Sequence, residues 1–252
     1  MITKEQIYFL AKEKKINETV IFREYLQLLF LQELYSQNQS KNIFLKGGTA
    51  LHLIYGSPRF SEDLDFTVEM EKEKFFGFIQ KVFLSLSKKE PISFKKRNSI
   101  AGKRFLLTAE PSILPYKTFV NLDFSFREKV LEPQKSIIET KFPVIFTSYI
   151  YHLSKEEIFA EKIRALFTRG KGRDLYDLWY LTNQGVLLKE KLIRKKLRYY
   201  HLKNIKKEEM LKKIKKFSKK DFVLDLRPLV PINQRDKLKN FFDYVQDFLG
   251  KK

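Results

Sequence analysis

Cysteine and long apolar runs are both missing from this sequence. Without a single cysteine among 252 residues, the chain has no disulfide framework, no thiolate nucleophile and no Cys-ligated metal. No stretch of about 18 uncharged apolar residues occurs, which predicts no membrane-spanning helix. The opening residues, MITKEQIYFLAKEKK, also lack the apolar segment and small-residue cleavage site of a signal peptide. We therefore expect a cytoplasmic protein that folds without covalent cross-links.

Histidine and nucleotide-binding glycine loops are equally scarce. The three histidines, at positions 52, 152 and 201, are scattered and show no metal-ligand spacing. The sequence GKGRD does not have the Walker spacing, and no Rossmann glycine pattern occurs. A zinc enzyme of the His-ligated type, a P-loop protein and a dinucleotide-binding protein are thereby disfavoured.

Positive charge is abundant and clustered. The net charge is +20, and residues 189–220 contain 15 Lys and Arg against three Glu. Tyr199, Tyr200 and His201 lie within this run, where rings stack readily on exposed bases. The run is typical of a surface that binds a polyanion such as RNA. It is also compatible with a solvated helix face, or with a docking face for an acidic protein.

Hydrophobic periodicity divides the chain into a mixed part and a helical part. Residues 1–40 show helical spacing, and we expect these helices to pack on the domain that follows. Residues 41–147 alternate strand and helix patterns, with turn residues such as AGK between the strands. Residues 148–252 are mostly helical. The predicted fold is therefore α/β (α+β), a mixed sheet flanked by helices and followed by a C-terminal helical domain.

The stretch FLKGGTALHLIYGSPRFSEDLDF contains the most specific pattern. A buried strand ends at Gly47 and Gly48, a helix begins at Thr49, and a second strand contains Asp63 and Asp65. Residues i and i+2 of a strand share a face, so both carboxylates are expected on one side of the sheet. Asp123, in the strand pattern FVNLDFSF, is predicted on the face opposite its apolar row.

Three carboxylates on one sheet face repel one another, and a divalent cation relieves that repulsion. Mg²⁺ prefers oxygen ligands and shares them between carboxylates, water and substrate phosphates. The glycine turn offers backbone N–H groups to phosphate at a helix start, and Thr49 adds a hydroxyl. Each element alone is commonplace, since an Asp-x-Asp pair is often a solvated strand edge. Their combination predicts a metal and nucleotide site.

This stretch resembles the first signature of the nucleotidyltransferase superfamily, and within it the AbiEii/AbiGii toxin family (DUF1814). Gly47, Gly48, Asp63, Asp65 and Asp123 occupy the superfamily's positions, with a slightly long spacer before Asp63. A second stretch, LSKEEIFAEKIRALFTRGKGRDLYDLWYL, is similar to the family's Lys motif and the R-D-x-x-D-L motif that follows it. The resemblance covers residues 41–183 and leaves the basic C-terminal third unmatched.

The second stretch places Lys162 on an apolar helix face, because Ile158, Lys162 and Leu166 are spaced by four. Such a lysine either extends along the surface to water, contacts a phosphate or pairs with a carboxylate. Asp174 and Asp177 border the core-facing side of the next helix, and Asp174 is alternatively its N-cap. The resemblance favours Lys162 and one or both aspartates as site residues, without choosing between the aspartates.

The resemblance implies transfer of a nucleoside monophosphate from an NTP to an acceptor. Mg²⁺ or Mn²⁺ is the implied cofactor, with Asp63 and Asp65 as ligands and Asp123 as third ligand or base. Gly47, Gly48 and Thr49 are the implied triphosphate contacts. Further candidate contacts to the nucleotide are Lys46, Arg59 and Ser61; Arg59 alternatively braces an aspartate.

The resemblance also implies the toxin of a toxin–antitoxin pair, acting in abortive infection and phage defence with a cognate antitoxin as partner. Together with the basic run, it favours RNA, and specifically tRNA, as acceptor. A catalytically silent RNA-binding module and a transferase acting on a protein or small molecule stay open as alternatives.

Overall fold

The computed structural model describes residues 2–98, 102–202 and 205–251. The chain forms two compact units. The first consists of Met1–Ile54 and Phe60–Leu153, and the second of Tyr55–Arg59 and Ser154–Lys252. The predicted turn AGK includes residue 101, and the basic run includes residues 203 and 204, all of which lie outside the described residues.

A mixed seven-stranded sheet forms the centre of the first unit. Its strand order is β3-β4-β5-β2-β1-β7-β6, with parallel pairing between β2 and β5 and between β1 and β7 and antiparallel pairing elsewhere. The strands are β1 Ile43–Lys46, β2 Leu64–Val68, β3 Ile92–Arg97, β4 Gly102–Ala109, β5 Thr118–Ser125, β6 Pro133–Ser136 and β7 Ile150–Leu153. The helices of this unit are α1 Lys4–Lys14, α2 Glu18–Tyr35, α3 Gly47–Leu53 and α4 Lys72–Lys89.

Phenylalanine fills the space between one face of this sheet and helices α2 and α4. Phe83 of α4 stacks on Phe94 of β3 with ring centroids 4.0 Å apart, and Phe66 of β2 stacks on Phe124 of β5 at 4.8 Å. Phe30 of α2 contacts Phe66, Phe83 and Phe94. Large rings bury much apolar area per residue. These rings therefore form a core that fixes which face of the sheet is covered.

The second unit is helical. Its helices are α5 Lys155–Thr168, α6 Gly172–Asn183, α7 Glu190–Arg198, α8 Lys207–Lys215, α9 Lys219–Leu226 and α10 Leu238–Lys251. Helices α6 and α9 approach closely at Gly172, where an added Cβ would lie 2.6 Å from the Cα of Phe222. Trp179 of α6 packs edge-on against Phe241 of α10, with centroids 4.7 Å apart.

The predicted fold class is confirmed: a mixed sheet with flanking helices is followed by a helical domain. Strand β6 is absent from the sequence-based prediction, because Pro133–Ser136 is a short edge strand without an apolar alternation. Within the described residues, no helix has both the length and the apolar character needed to cross a bilayer.

Candidate active site

A row of charged residues crosses the first unit's sheet at one level. Successive cross-strand partners are Lys46 of β1, Asp65 of β2, Asp123 of β5, Arg104 of β4 and Arg97 of β3. Residues that pair directly across strands share a face of the sheet. The burial of β5 alternates so that Val120, Leu122 and Phe124 enter the core, which leaves Asp123 on the other face, as predicted. Two carboxylates therefore lie side by side between basic residues.

Asp63 occupies the next level of the same face. Its Oδ1 accepts a hydrogen bond of 2.8 Å from Nδ2 of Asn121, two residues before Asp123. The prediction that Asp63 and Asp65 belong to one strand is wrong for Asp63, since β2 begins at Leu64. The backbone carbonyl of Asp63 instead accepts a hydrogen bond from the hydroxyl of Thr49 in α3. The three aspartates are nevertheless brought to one region of the sheet.

The electrostatics of Asp123 reflect this crowding. Burial raises the pKa of the Asp123 carboxyl, and the negative charge of Asp65 raises it further. Arg104 opposes both effects through a 2.6 Å bond from Nε to Oδ1 of Asp123, and Lys46 also favours the charged form. The net pKa is above its usual value. One row thus combines repulsion between carboxylates with partial compensation by neighbouring cations.

Gly47 allows the carboxylate of Asp65 to occupy its position. Gly47 has φ of +72°, and a Cβ added there would lie 2.7 Å from Oδ2 of Asp65. Both the left-handed backbone and the contact favour glycine. The adjacent Gly48 and Thr49 are buried in the first turn of α3, and the Thr49 hydroxyl is committed to Asp63. In this structure, therefore, Thr49 positions an aspartate.

Replacing Gly47 by alanine is expected to abolish most activity at a small cost in stability. The methyl group displaces the carboxylate of Asp65, while the left-handed backbone costs on the order of 1–2 kcal/mol. The matched control is Gly77→Ala in α4, where an added Cβ has no atom within 4 Å. Initial rates and thermal melting of both variants test this: a Gly47→Ala protein that is as active as Gly77→Ala would refute the role of the contact.

The second unit contains a separate cluster of buried charges. Lys162 of α5 lies 2.7 Å from Oδ2 of Asp177 and 3.3 Å from Oδ1 of Asp174. Arg59 binds Asp177 through both carboxylate oxygens, at 2.6 and 2.5 Å, and Arg169 binds Asp174 at 2.8 and 2.7 Å. Of the interpretations left open by the sequence, Lys162 is paired with carboxylates and Arg59 braces one of them.

Asp174 is not the N-cap of α6, because the helix begins at Gly172 and its N-cap residue is Lys171. Asp174 instead accepts a bond from the backbone N–H of Lys171 from within the first turn. Both aspartates are completely buried. The two positions that the sequence could not separate are therefore both members of one ion-pair network.

The stability of this network is expected to fall in acid. Burial raises the pKa of Asp177, but the charges of Arg59 and Lys162 outweigh burial, and the net pKa is lowered. Burial also raises the pKa of Asp174, but the charges of Lys162 and Arg169 outweigh it, and the net pKa of Asp174 is lowered too. A carboxyl with a lowered pKa in the folded state stabilises above its unfolded pKa of about 3.9, and this contribution is lost as pH falls below it.

The test is urea unfolding followed by fluorescence of Trp179, the one tryptophan of the sequence, which lies in α6 itself. We expect the unfolding free energy of the wild type to begin to fall near pH 5 and to fall most steeply below the unfolded pKa of about 3.9. Asp177→Asn, which cannot titrate there, should have a shallower pH dependence. Parallel curves for the two proteins would contradict the assignment.

The basic run of residues 189–220 is largely a surface feature. Its described Lys and Arg residues are exposed, with the exception of Lys196. Lys196 is fully buried and pairs with Glu157 at 2.7 Å and Glu161 at 3.0 Å, so it fastens α7 to α5. The ring of Tyr200 is covered by the guanidinium of Arg164, 4.0 Å from the ring centroid. Charge is thus available to a polyanion, but Lys196 and that face of Tyr200 are not.

The carboxylates of the first unit fit a shared rather than an enclosed metal site. Across the residues that the structure describes, no three His, Asp or Glu side chains form a ready-made metal cage. Mg²⁺ bound with a nucleotide needs only one or two carboxylates, because water and phosphate oxygens complete its octahedron. Asp65 and Asp123 supply that number as direct neighbours, and the absence of a Cβ at Gly47 leaves room for one of them.

Two residues of this face were missed by sequence reasoning as site residues. Arg104 binds Asp123, and Asn121 binds Asp63. Asn121 had a signal, since it precedes Asp123 by two in a strand. Arg104 had none, because its place beside Asp123 depends on the register of β4 against β5.

Ser61, a predicted nucleotide contact, accepts a hydrogen bond from the side chain of Gln27 through its backbone carbonyl.

Solved structures with the same fold identify the class of this architecture. The chain is similar to the nucleotidyltransferase toxin MenT4 (Rv2826c) of Mycobacterium tuberculosis H37Rv, with a TM-score of 0.60 and 17% identity, covering 98% of this chain and 90% of that one. It is also similar to JHP933 of Helicobacter pylori, with a TM-score of 0.57, 21% identity and 94% coverage of each chain. The fold is that of a nucleotidyltransferase.

Sequence comparison gives the family. The model described as nucleotidyl transferase AbiEii toxin, type IV TA system, matches residues 29–249. The chain therefore belongs to the AbiEii nucleotidyltransferase toxin family, which confirms the resemblance. An uncharacterised Aquifex aeolicus (strain VF5) protein, aq_aa25, is 30% identical over 173 residues, covering 67% of this chain and 72% of that protein. The family acts on a nucleotide and is paired with an antitoxin.

Proposed function

We propose that the chain transfers a nucleoside monophosphate from an NTP to an RNA acceptor, with tRNA as the preferred class, and that it requires Mg²⁺ or Mn²⁺. The observation that carries this proposal is the row in which Asp65 and Asp123 lie side by side between Lys46, Arg104 and Arg97. Family membership supports nucleotide transfer. The exposed lysines and arginines of residues 189–220 support a polyanionic acceptor.

The transfer forms one bond and breaks one. An acceptor hydroxyl attacks the α-phosphorus, the bond from that phosphorus to the bridging oxygen breaks, and pyrophosphate leaves. A bound divalent cation would neutralise charge on the phosphates as it develops. We assign Asp63 and Asp65 to holding that ion. Asp123 either completes the ligand set or takes the proton of the attacking hydroxyl.

The remaining residues of this face hold the carboxylates in place and contact the phosphates. Arg104 fixes one oxygen of Asp123, and Asn121 fixes one oxygen of Asp63, so neither carboxylate is free to rotate. The backbone N–H groups of Gly47 and Gly48 are the proposed phosphate contacts, with Lys46 adding positive charge beside Asp65. Preorganised charges of this kind are the main source of catalysis in phosphoryl transfer.

For Lys162, Asp174 and Asp177, a direct part in the transfer stays a prediction from the family pattern. Their geometry supports a structural role in the second unit, where each carboxylate is held by two cations. In the cell we propose that the activity arrests growth during phage infection and is restrained by the cognate antitoxin.

The test is transfer of label from each of the four α-³²P-labelled NTPs, with Mg²⁺ and total tRNA, to RNA or protein. The matched protein is the double variant Asp63→Ala, Asp65→Ala. The proposal expects label on RNA with the wild type and none with the variant. Label on protein alone would identify another acceptor class, and no label with RNA binding retained would favour a silent RNA-binding module.

A further inference from the structure

One face of strands β3, β4 and β5 is not covered by the helices that form the core of the first unit. Helices α2 and α4 pack on the opposite face through Phe30, Phe75 and Phe83. On the uncovered side the pattern of burial gives side chains that are exposed or half-buried. We call this the open sheet face, defined by Lys95, Arg97, Arg104, Leu106, Phe119 and Asp123.

The open sheet face extends the charged row away from the carboxylates. Arg104 and Arg97 follow Asp123 on the two strands nearer the edge, and Lys95 follows Leu106 at the next level. Neighbouring strands are about 4.8 Å apart, so the backbone of Arg97 is about 10 Å from that of Asp123. Among the six defining residues, Asp123 is the one acid. The three cations of this face, Lys95, Arg97 and Arg104, lie on the strands nearer the edge than the strand of Asp123.

An aromatic ring stands on the same face. Phe119 is 45% exposed, and it precedes Asp123 by four residues, a distance of about 13 Å along β5. Leu106, on the neighbouring strand, lies between the levels of Phe119 and Arg104 and is half-exposed. An exposed ring that shares a sheet face with nearby cations is the arrangement on which unpaired bases stack while their phosphates meet Lys and Arg.

We propose that the open sheet face binds a single-stranded RNA segment that leads to the acceptor hydroxyl. Lys95 and Arg97 contact its phosphates, and Phe119 stacks on one of its bases. The inference deepens the proposed function, on which it rests for the choice of RNA. It places sequence-tolerant binding in the first unit, on a surface distinct from the basic run of residues 189–220.

Binding is tested without catalysis, so that its failure and the failure of nucleotide transfer are separable. Fluorescence anisotropy is measured with a fluorescein-labelled single-stranded oligoribonucleotide that has a 3′-deoxy end, in EDTA and without NTP. For Lys95→Ala, Arg97→Ala we expect about tenfold weaker binding. The slope of log affinity against log salt should fall by about 1.4, because each phosphate contact on a single strand contributes about 0.7.

Phe119 has a different expected signature. Phe119→Ala should weaken binding about tenfold with an unchanged salt slope, since stacking releases no counterions. Phe119→Trp should restore the affinity, and ultraviolet cross-linking should attach the oligonucleotide to the peptide that contains residue 119. A duplex RNA, whose bases are already stacked, should compete poorly.

The matched control removes the same charge from the other side of the same sheet. Lys81 and Lys88 are exposed on α4. Because we expect them to contact no phosphate of the RNA, Lys81→Ala, Lys88→Ala should bind within about twofold of the wild-type affinity. Equal losses in the Lys95, Arg97 variant and this control would overturn the proposal. It would also be overturned if Lys212→Ala, Lys213→Ala abolished binding while the sheet variants bound like wild type.

Discussion

Replacing Asp65 by asparagine is expected to reduce nucleotide transfer by a factor on the order of 10³, the size of effect seen when one preorganised charge-stabilising group is lost. The amide has the shape of the carboxylate, so the contact with Gly47 is kept, but its charge is gone. Asp65 is the direct cross-strand neighbour of both Lys46 and Asp123. The measurement is the initial rate of labelled nucleotide incorporation.

The same substitution should leave the melting temperature unchanged or slightly higher. The charge of Asp65 disfavours the charged form of Asp123, so its removal relieves a repulsion in the folded protein. The control is Glu71→Gln, which removes one exposed carboxylate of the same unit. An Asp65→Asn protein within about tenfold of the Glu71→Gln rate would contradict the assignment of Asp65 to the site, given the 10³ expected.

Replacing Asp177 by alanine is expected to destabilise the second unit by about 3–5 kcal/mol, the cost of leaving a buried charge without its partner. Arg59 and Lys162 are both buried, and both lose this partner at once. Substitutions of exposed residues in this unit should cost much less, because surface changes seldom exceed about 0.5 kcal/mol. Urea unfolding followed by Trp179 fluorescence measures the difference.

Two further variants distinguish charge burial from lost packing. Asp243→Ala removes an exposed aspartate that pairs with Lys219 and should cost less than about 1 kcal/mol. Combining Arg59→Met with Asp177→Leu removes the opposed charges together and should be milder than Asp177→Ala alone. If Asp177→Ala unfolds at the same urea concentration as Asp243→Ala, the network does not have the role given to it here.

Much of the fold and part of the candidate site could be predicted from local sequence patterns. The strand, the glycine turn and the following helix were predictable because Gly47, Gly48 and the adjacent apolar residues act over a few positions. The face of Asp123 was predictable because alternation in β5 is a property of one strand. The family motifs added Lys162, Asp174 and Asp177, which periodicity alone could not relate to one another.

Pairing between distant residues could not be predicted. Arg104 and Arg97 join the charged row through the registers of β4 on β5 and β3 on β4, and nothing within either strand encodes those registers. Lys196 belongs to a basic run, yet it is buried between Glu157 and Glu161 because α7 packs on α5. A charge count treats every lysine of the run as a surface residue, and the burial of Lys196 follows from the packing of α7 on α5.

The same limit explains Asp63. An Asp-x-Asp pair in a strand pattern predicts two ladder residues, whereas Asp63 is held by Thr49 and Asn121 before the strand begins. The Thr49 hydroxyl donates to the backbone carbonyl of Asp63, which a strand ladder would otherwise use, while Asn121 donates to its side chain. Whether Asp63 lies in the strand or just before it, its carboxylate is on the same face as Asp65, so its prediction as a site residue does not depend on where the strand begins.

Asp63 and Asp65 are proposed to hold a divalent cation together with a nucleotide, and uptake of Mn²⁺ measures this binding without any transfer. Electron paramagnetic resonance of free Mn²⁺ is recorded during titration of the wild type and of Asp63→Asn, Asp65→Asn, each with a non-hydrolysable NTP analogue. We expect the wild-type complex to remove Mn²⁺ from solution beyond what the analogue alone binds, and the variant not to do so. Equal uptake by the two proteins, or none by either, would contradict it.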